Sequence, residues 1–67
     1  MFKYYCVMCP PTPSAIPYCP RHTCEYAERR YIPEIERMAW GWLGYDSPLS
    51  MAEVAEYELI AAPREDE

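Results

Sequence analysis

The sequence predicts a small, metal-stabilised α+β domain, and three observations carry that expectation. The chain has 67 residues, and a domain of that size buries only about 60% of the surface its unfolded form exposes. A core so small rarely supplies more than roughly 3–5 kcal/mol unaided, so a staple is expected. All four cysteines and the single histidine fall in the stretch YYCVMCPPTPSAIPYCPRHTC, together with five of the eight prolines. The middle of the chain then carries an apolar repeat of helical period. One domain over residues 1–62 is expected, followed by an acidic tail over residues 63–67.

The thiols come in two close pairs. Cys6 and Cys9 form C-x2-C, Cys19 and Cys24 form C-x4-C, and His22 makes a C-x2-H with Cys19. Zinc takes four tetrahedral Cys or His ligands, and two residues between ligands let one turn present both to one ion. The linker Pro10–Tyr18 is rich in proline, which fixes φ and removes backbone donors, so it suits an ordered loop between the two pairs. Two sets compete, Cys6/Cys9/Cys19/Cys24 and Cys6/Cys9/Cys19/His22. Thr23 reads as an N-cap that places Cys24 in the first turn of a helix, where free N–H groups favour a thiolate, so Cys24 is preferred and His22 is the alternative. Two disulfides would need an oxidising compartment, for which the N-terminus MFKYYCVMC offers no apolar signal. A redox C-x-x-C would open a helix after a strand, whereas CVMCPP runs into prolines.

At these residues the chain resembles zinc-ribbon and treble-clef modules, which clasp zinc between a strand-borne C-x2-C knuckle and a second ligand pair. The resemblance covers residues 4 to about 30 and implies a Zn(2+) cofactor with the second pair at a helix N-terminus.

From Cys24 onward the period suggests helix. Ile35, Met38, Ala39, Trp42 and Leu43 fall at i, i+3, i+4, i+7 and i+8, and the phase runs back through Tyr31 and Ala27. Pro33 either kinks one long amphipathic helix or starts a second one, and Gly44 reads as its stop. Trp42 is expected in the core. Trp40 falls off the apolar face, beside Glu36 and Arg37, and is the expected partner anchor with Arg37 and Arg30, because Trp and Arg dominate interface hot spots. Ser47-Pro48 and the capping box Ser50–Glu53 then announce a short helix. The alternation of Tyr57, Leu59 and Ala61 predicts a strand pairing with Phe2–Cys6, with an extension of the helix to Ala62 as the competing expectation.

Charge bounds the function. The net charge is −5, divided as +2 over residues 1–24 and −7 over residues 25–67. Nucleic-acid binders draw affinity from clustered Lys and Arg, so an acidic chain points to a protein partner and away from duplex DNA. No glycine-rich phosphate loop is present, and no nucleophile–base pair stands apart from the proposed ligands, so enzymatic activity and a small-molecule substrate are not expected. No stretch approaches the roughly 20 apolar residues of a membrane span, and a cytoplasmic location is expected. The leading expectation is a zinc-stabilised protein-binding module, a small regulator or inhibitor docking on a larger machine such as RNA polymerase or another nucleic-acid enzyme. Its carboxylates would suit mimicry of DNA phosphates, and its size and charge suit a phage-type accessory protein. The alternative is a nucleic-acid-binding zinc finger using Arg21, Arg29, Arg30 and Arg37. The outsider is a redox dithiol protein.

Overall fold

The computed structural model describes residues 1–63, so the expectation for the acidic tail lies, beyond Pro63, outside the described residues. In chain order the elements are β1 (Phe2–Cys6), β2 (His22–Ile32), β3 (Arg37–Tyr45), α1 (Met51–Glu56) and β4 (Leu59–Ala61). The four strands make one antiparallel sheet in the order β2-β3-β1-β4. Among the described residues no helix is long and apolar enough to cross a membrane.

This corrects the expected fold class. The segment expected to be a long amphipathic helix is a β-hairpin, and most of the ordered backbone is strand. Two physical reasons explain it. Met38–Tyr45 has no charged residue, so it lacks a polar alternation, and such a run in a strand interior to the sheet also satisfies a 3.6 period by chance. Its aromatic residues Trp40, Trp42 and Tyr45 fit a pleated surface better than a helix face. Pro33 neither kinks nor starts a helix; it opens the hairpin turn, where the N–H of Glu36 donates to the Pro33 carbonyl at 3.3 Å and Glu36 adopts a left-handed φ of 54°. Gly44 does not stop a helix but lies within β3.

The end of the chain follows its local signals. Ser50 caps α1, its Oγ accepting the Glu53 N–H at 3.1 Å while Glu53 Oε1 accepts the Ser50 N–H at 3.0 Å. The bond from the Ser50 N–H, ahead of other influences, holds the Glu53 carboxyl below its ordinary value. β4 pairs with β1 in the register Tyr4↔Ala61, Tyr5↔Ile60 and Cys6↔Leu59.

Two apolar clusters flank the sheet. On one face Tyr4, Cys6, Leu43, Tyr45 and Leu59 are buried with Ile16 of the proline-rich loop, and Leu49, Val54 and Tyr57 pack against them. The loop is pinned there by the Tyr45 hydroxyl, which donates to the Pro17 carbonyl at 2.6 Å. Gly41 is required beneath it, since a Cβ would lie 3.0 Å from Pro11 and 2.1 Å from the Cys24 carbonyl oxygen. The other cluster joins Tyr5, Ile32, Ala39 and Ala62, with Val7, Tyr26, Ile35 and Trp42 partly buried around them.

Candidate functional site

The sheet separates the cysteines. Cys6 pairs with Gly41 and Cys24 with Trp42. Neighbouring residues of a strand point to opposite faces, so the two thiols lie on opposite sides of the sheet. Cys6 is buried in the first cluster, where desolvation, reinforced by Cys9, pushes its thiol up to about 12. Cys9 and Cys19 are exposed, Cys24 is half-buried, and all four are free thiols. His22 is exposed, pairs with Gly44 on the face of Cys24, and has its ring 6.4 Å from that of Trp42. Both ligand sets are therefore split across the sheet. Among the described residues no three His, Cys, Asp or Glu side chains are grouped to hold one ion. As folded, these residues do not fit a tetrahedral zinc site. The preference for Cys24 also loses its basis, because Thr23 is a strand residue of β2 and caps no helix.

The expected anchors gather at one end of the β2–β3 hairpin. Arg30 pairs with Ala39, and Ile32 with Arg37, while the register between Glu25 and Arg30 slips through a bulge in β2. Trp40 is half-buried, and the Arg29 guanidinium carbon lies 5.6 Å from its ring centroid. Arg21 sits at the opposite end of the hairpin, 3.2 Å from Asp46 in an exposed ion pair. The basic patch of four arginines is not assembled: Arg29, Arg30 and Arg37 share an end, and Arg21 does not reach it.

A second group of residues went unrecognised in the sequence. Cross-strand pairing sets Lys3, Gly44 and His22 in one row and Tyr5, Trp42 and Cys24 in the next, on the face opposite the proline-rich loop. The Lys3 ammonium lies 4.8 Å from the Trp42 ring centroid and 5.2 Å from that of Tyr5. The Arg30 guanidinium carbon lies 4.9 Å from the Tyr26 ring. Burial first, then the hydrogen bond that the Tyr5 hydroxyl donates to Glu34, keeps the Tyr5 phenol well above its ordinary range. Tyr26 is also raised, mainly by burial, with Cys24 and Glu34 adding to the effect and Arg30 opposing it. The signal that could have found this group is the alternation Lys3, Tyr5 and Trp40, Trp42, which was hidden once the middle segment was read with a helical period.

The sequence pattern of the family described as Defence against restriction A C-terminal matches residues 1–64. The chain belongs to that family. The match covers the whole described sheet and gives no support to the resemblance to zinc-ribbon and treble-clef modules seen around the thiols. No curated protein and no solved structure matches the chain.

Proposed function

We propose that this chain is a non-enzymatic protein-docking module that helps DNA escape restriction, as a phage-type accessory protein would. The observation that carries the reading is the family match over residues 1–64. It supports narrowing the general idea of a larger nucleic-acid machine to a restriction enzyme as the partner. The net charge of −5 favours a protein partner over duplex DNA. The hairpin end offers the contact, with half-buried Trp40 under Arg29 and with exposed Arg30 and Arg37 beside it. Such a pairing of Trp with Arg is typical of interface hot spots. The chain acts in this reading by occupancy, with no reaction of its own.

The test is cleavage of unmodified plasmid by purified restriction enzymes of different classes, titrated with the chain. Inhibition that saturates with the amount of enzyme supports docking on protein, whereas inhibition that saturates with the amount of DNA assigns the effect to DNA coverage. No protection with any class overturns the reading. Trp40→Ala should weaken protection at least tenfold, since truncating a central interface Trp costs about 2 kcal/mol or more. The melting midpoint serves as the control for folding.

A further inference from the structure

The two faces of the sheet are covered very differently. One carries the proline-rich loop and the residues around α1, and among the described residues the other has Ile32, Ala62, Val7 and the hairpin-turn residue Ile35 packed around it. On that second face lie the rows Lys3–Gly44–His22 and Tyr5–Trp42–Cys24, with Tyr26 and Arg30 alongside. We propose that this face is a platform for single-stranded nucleic acid, with bases stacking on Trp42 and Tyr26 and phosphates meeting Lys3 and Arg30.

Three observations lead to that occupant. First, Trp42 and Tyr26 are only half-buried although both pack on an apolar cluster, and a base stacking on either ring would move aside the flexible cation that lies over it, Lys3 at Trp42 and Arg30 at Tyr26. Base–aromatic stacking of this kind is worth roughly 1–3 kcal/mol per base and tolerates any sequence. Second, the cations are placed on the rings themselves, Lys3 over Trp42 and Tyr5, and Arg30 over Tyr26. Among the described residues neither is in an ion pair, the one ion pair being Arg21 with Asp46. Their charge is therefore left for an anionic partner. Third, two carboxylates of the described residues are placed away from this surface. Glu25 pairs with Gly41 and so shares the face of Cys6, and Glu53, whose carboxylate closes the cap of α1, belongs to the helix beside that same covered face. Glu34 does approach, at the margin, where it accepts the Tyr5 hydroxyl. A face that is locally basic on a chain of net charge −5 needs a reason, and a stacked, anionic polymer supplies one.

The strand state follows from the same geometry. A flat sheet face reaches bases only when they are unstacked from a duplex, which is how sheet platforms take single strands. The helix among the described residues, α1, offers nothing to a duplex groove, since it has six residues and an acidic first turn. An acidic protein segment would satisfy Lys3 and Arg30 but leave the rings without a planar partner. The inference shares Arg30 with the docking surface around Trp40, and Lys3→Glu alone, which lies outside that surface, tells the two apart.

Anisotropy of a labelled 12-nucleotide oligo(dT) with the full chain tests it. Two phosphate contacts predict that affinity drops about sevenfold between about 50 and 200 mM salt. The Lys3→Glu, Arg30→Glu double variant should lose at least tenfold, and Tyr26→Ala severalfold, with melting midpoints confirming that each is folded. In Trp40→Phe, Trp42 becomes the remaining tryptophan, and its emission should be quenched by the oligonucleotide. Absence of binding at about 50 mM salt, or unchanged binding in the double variant, overturns the proposal. So does displacement by oligo-glutamate as effective as that by unlabelled oligo(dT), which would give the face to an acidic protein, or a preference for duplex.

Discussion

The loop-covered face of the sheet and its opposite face belong to the same four strands yet hold different chemistry. Beneath the loop, Tyr4, Cys6, Leu43, Tyr45 and Leu59 are almost entirely buried. Polar groups there are paired inward: the Tyr45 hydroxyl donates to the Pro17 carbonyl, and the Tyr4 hydroxyl accepts the Leu49 N–H at 2.9 Å. On the other face Tyr5 is buried, but Trp42 and Tyr26 are half-covered, and cations lie over the rings. The contrast separates two tasks. The covered face supplies the stability of a very small domain, and the open face can change without unfolding it.

The largest effect should come from the covered side. Leu43 is fully buried at 0% exposure. Leu43→Ala removes its contacts and leaves a cavity, a change that costs about 2–5 kcal/mol in well-packed cores. A domain of this size holds little more than that in reserve, so thermal denaturation should show it largely unfolded at 37 °C. Tyr26→Ala, on the open side, should move the midpoint by only a few degrees. Equal losses at the two positions would erase the distinction between the faces.

A medium effect should appear in alkali, also from the covered side. The Cys6 thiol is raised from 9.0 to about 12 and the Tyr45 phenol from 10.0 to about 12, each chiefly by burial. A group whose folded pKa is raised contributes stability that is fully present below its unfolded value and is lost as pH rises toward the folded one. The melting midpoint should therefore hold to about pH 9 and fall progressively up to about pH 12. Cys6→Ala should flatten the first part of that decline. A midpoint indifferent to pH across this range would show that Cys6 and Tyr45 are more open to water than their packing indicates.

The two faces also explain how much could be seen in the sequence. Short-range chemistry was legible: Ser50 and Glu53 close their box around α1, and the alternation at Leu59 and Ala61 marks the strand that joins β1. The hairpin was not, because β3 carries Trp40 and Trp42 toward the open face as well as Leu43 and Tyr45 toward the covered one, and so lacks the polar alternation that identifies a strand. That one misreading carried others with it. It put Cys24 in a helix turn instead of across the sheet from Cys6, and it placed Trp40 on a helix surface instead of beside the β2 bulge. The hairpin-end anchors Arg30, Arg37 and Trp40 still fell near one another, since they are close in sequence across a short turn. Pairing of Lys3 with Gly44 and of Tyr5 with Trp42 joins residues about forty apart, and no local pattern announces such contacts.

The smallest effect should come from removing metal, and it bears directly on the division between faces. Were the four thiols one zinc site, binding would contribute on the order of 10–16 kcal/mol, and a chelator would unfold the chain. The sheet argues otherwise. Cys6 is buried with a thiol that resists deprotonation, while Cys24 lies across the sheet from it, and a zinc ligand must be a thiolate. Purified protein treated with EDTA should thus keep its circular dichroism spectrum and its melting midpoint within about a degree. Thiol alkylation near neutral pH should modify exposed Cys9 and Cys19 first, then Cys24, and reach Cys6 only on unfolding. Loss of the sheet on chelation, with one zinc released per chain and all four thiols protected until then, would require Cys6 and Cys24 to reach the same side. The strand register through Gly41 and Trp42 would then have to shift by one residue, exchanging the covered and the open face.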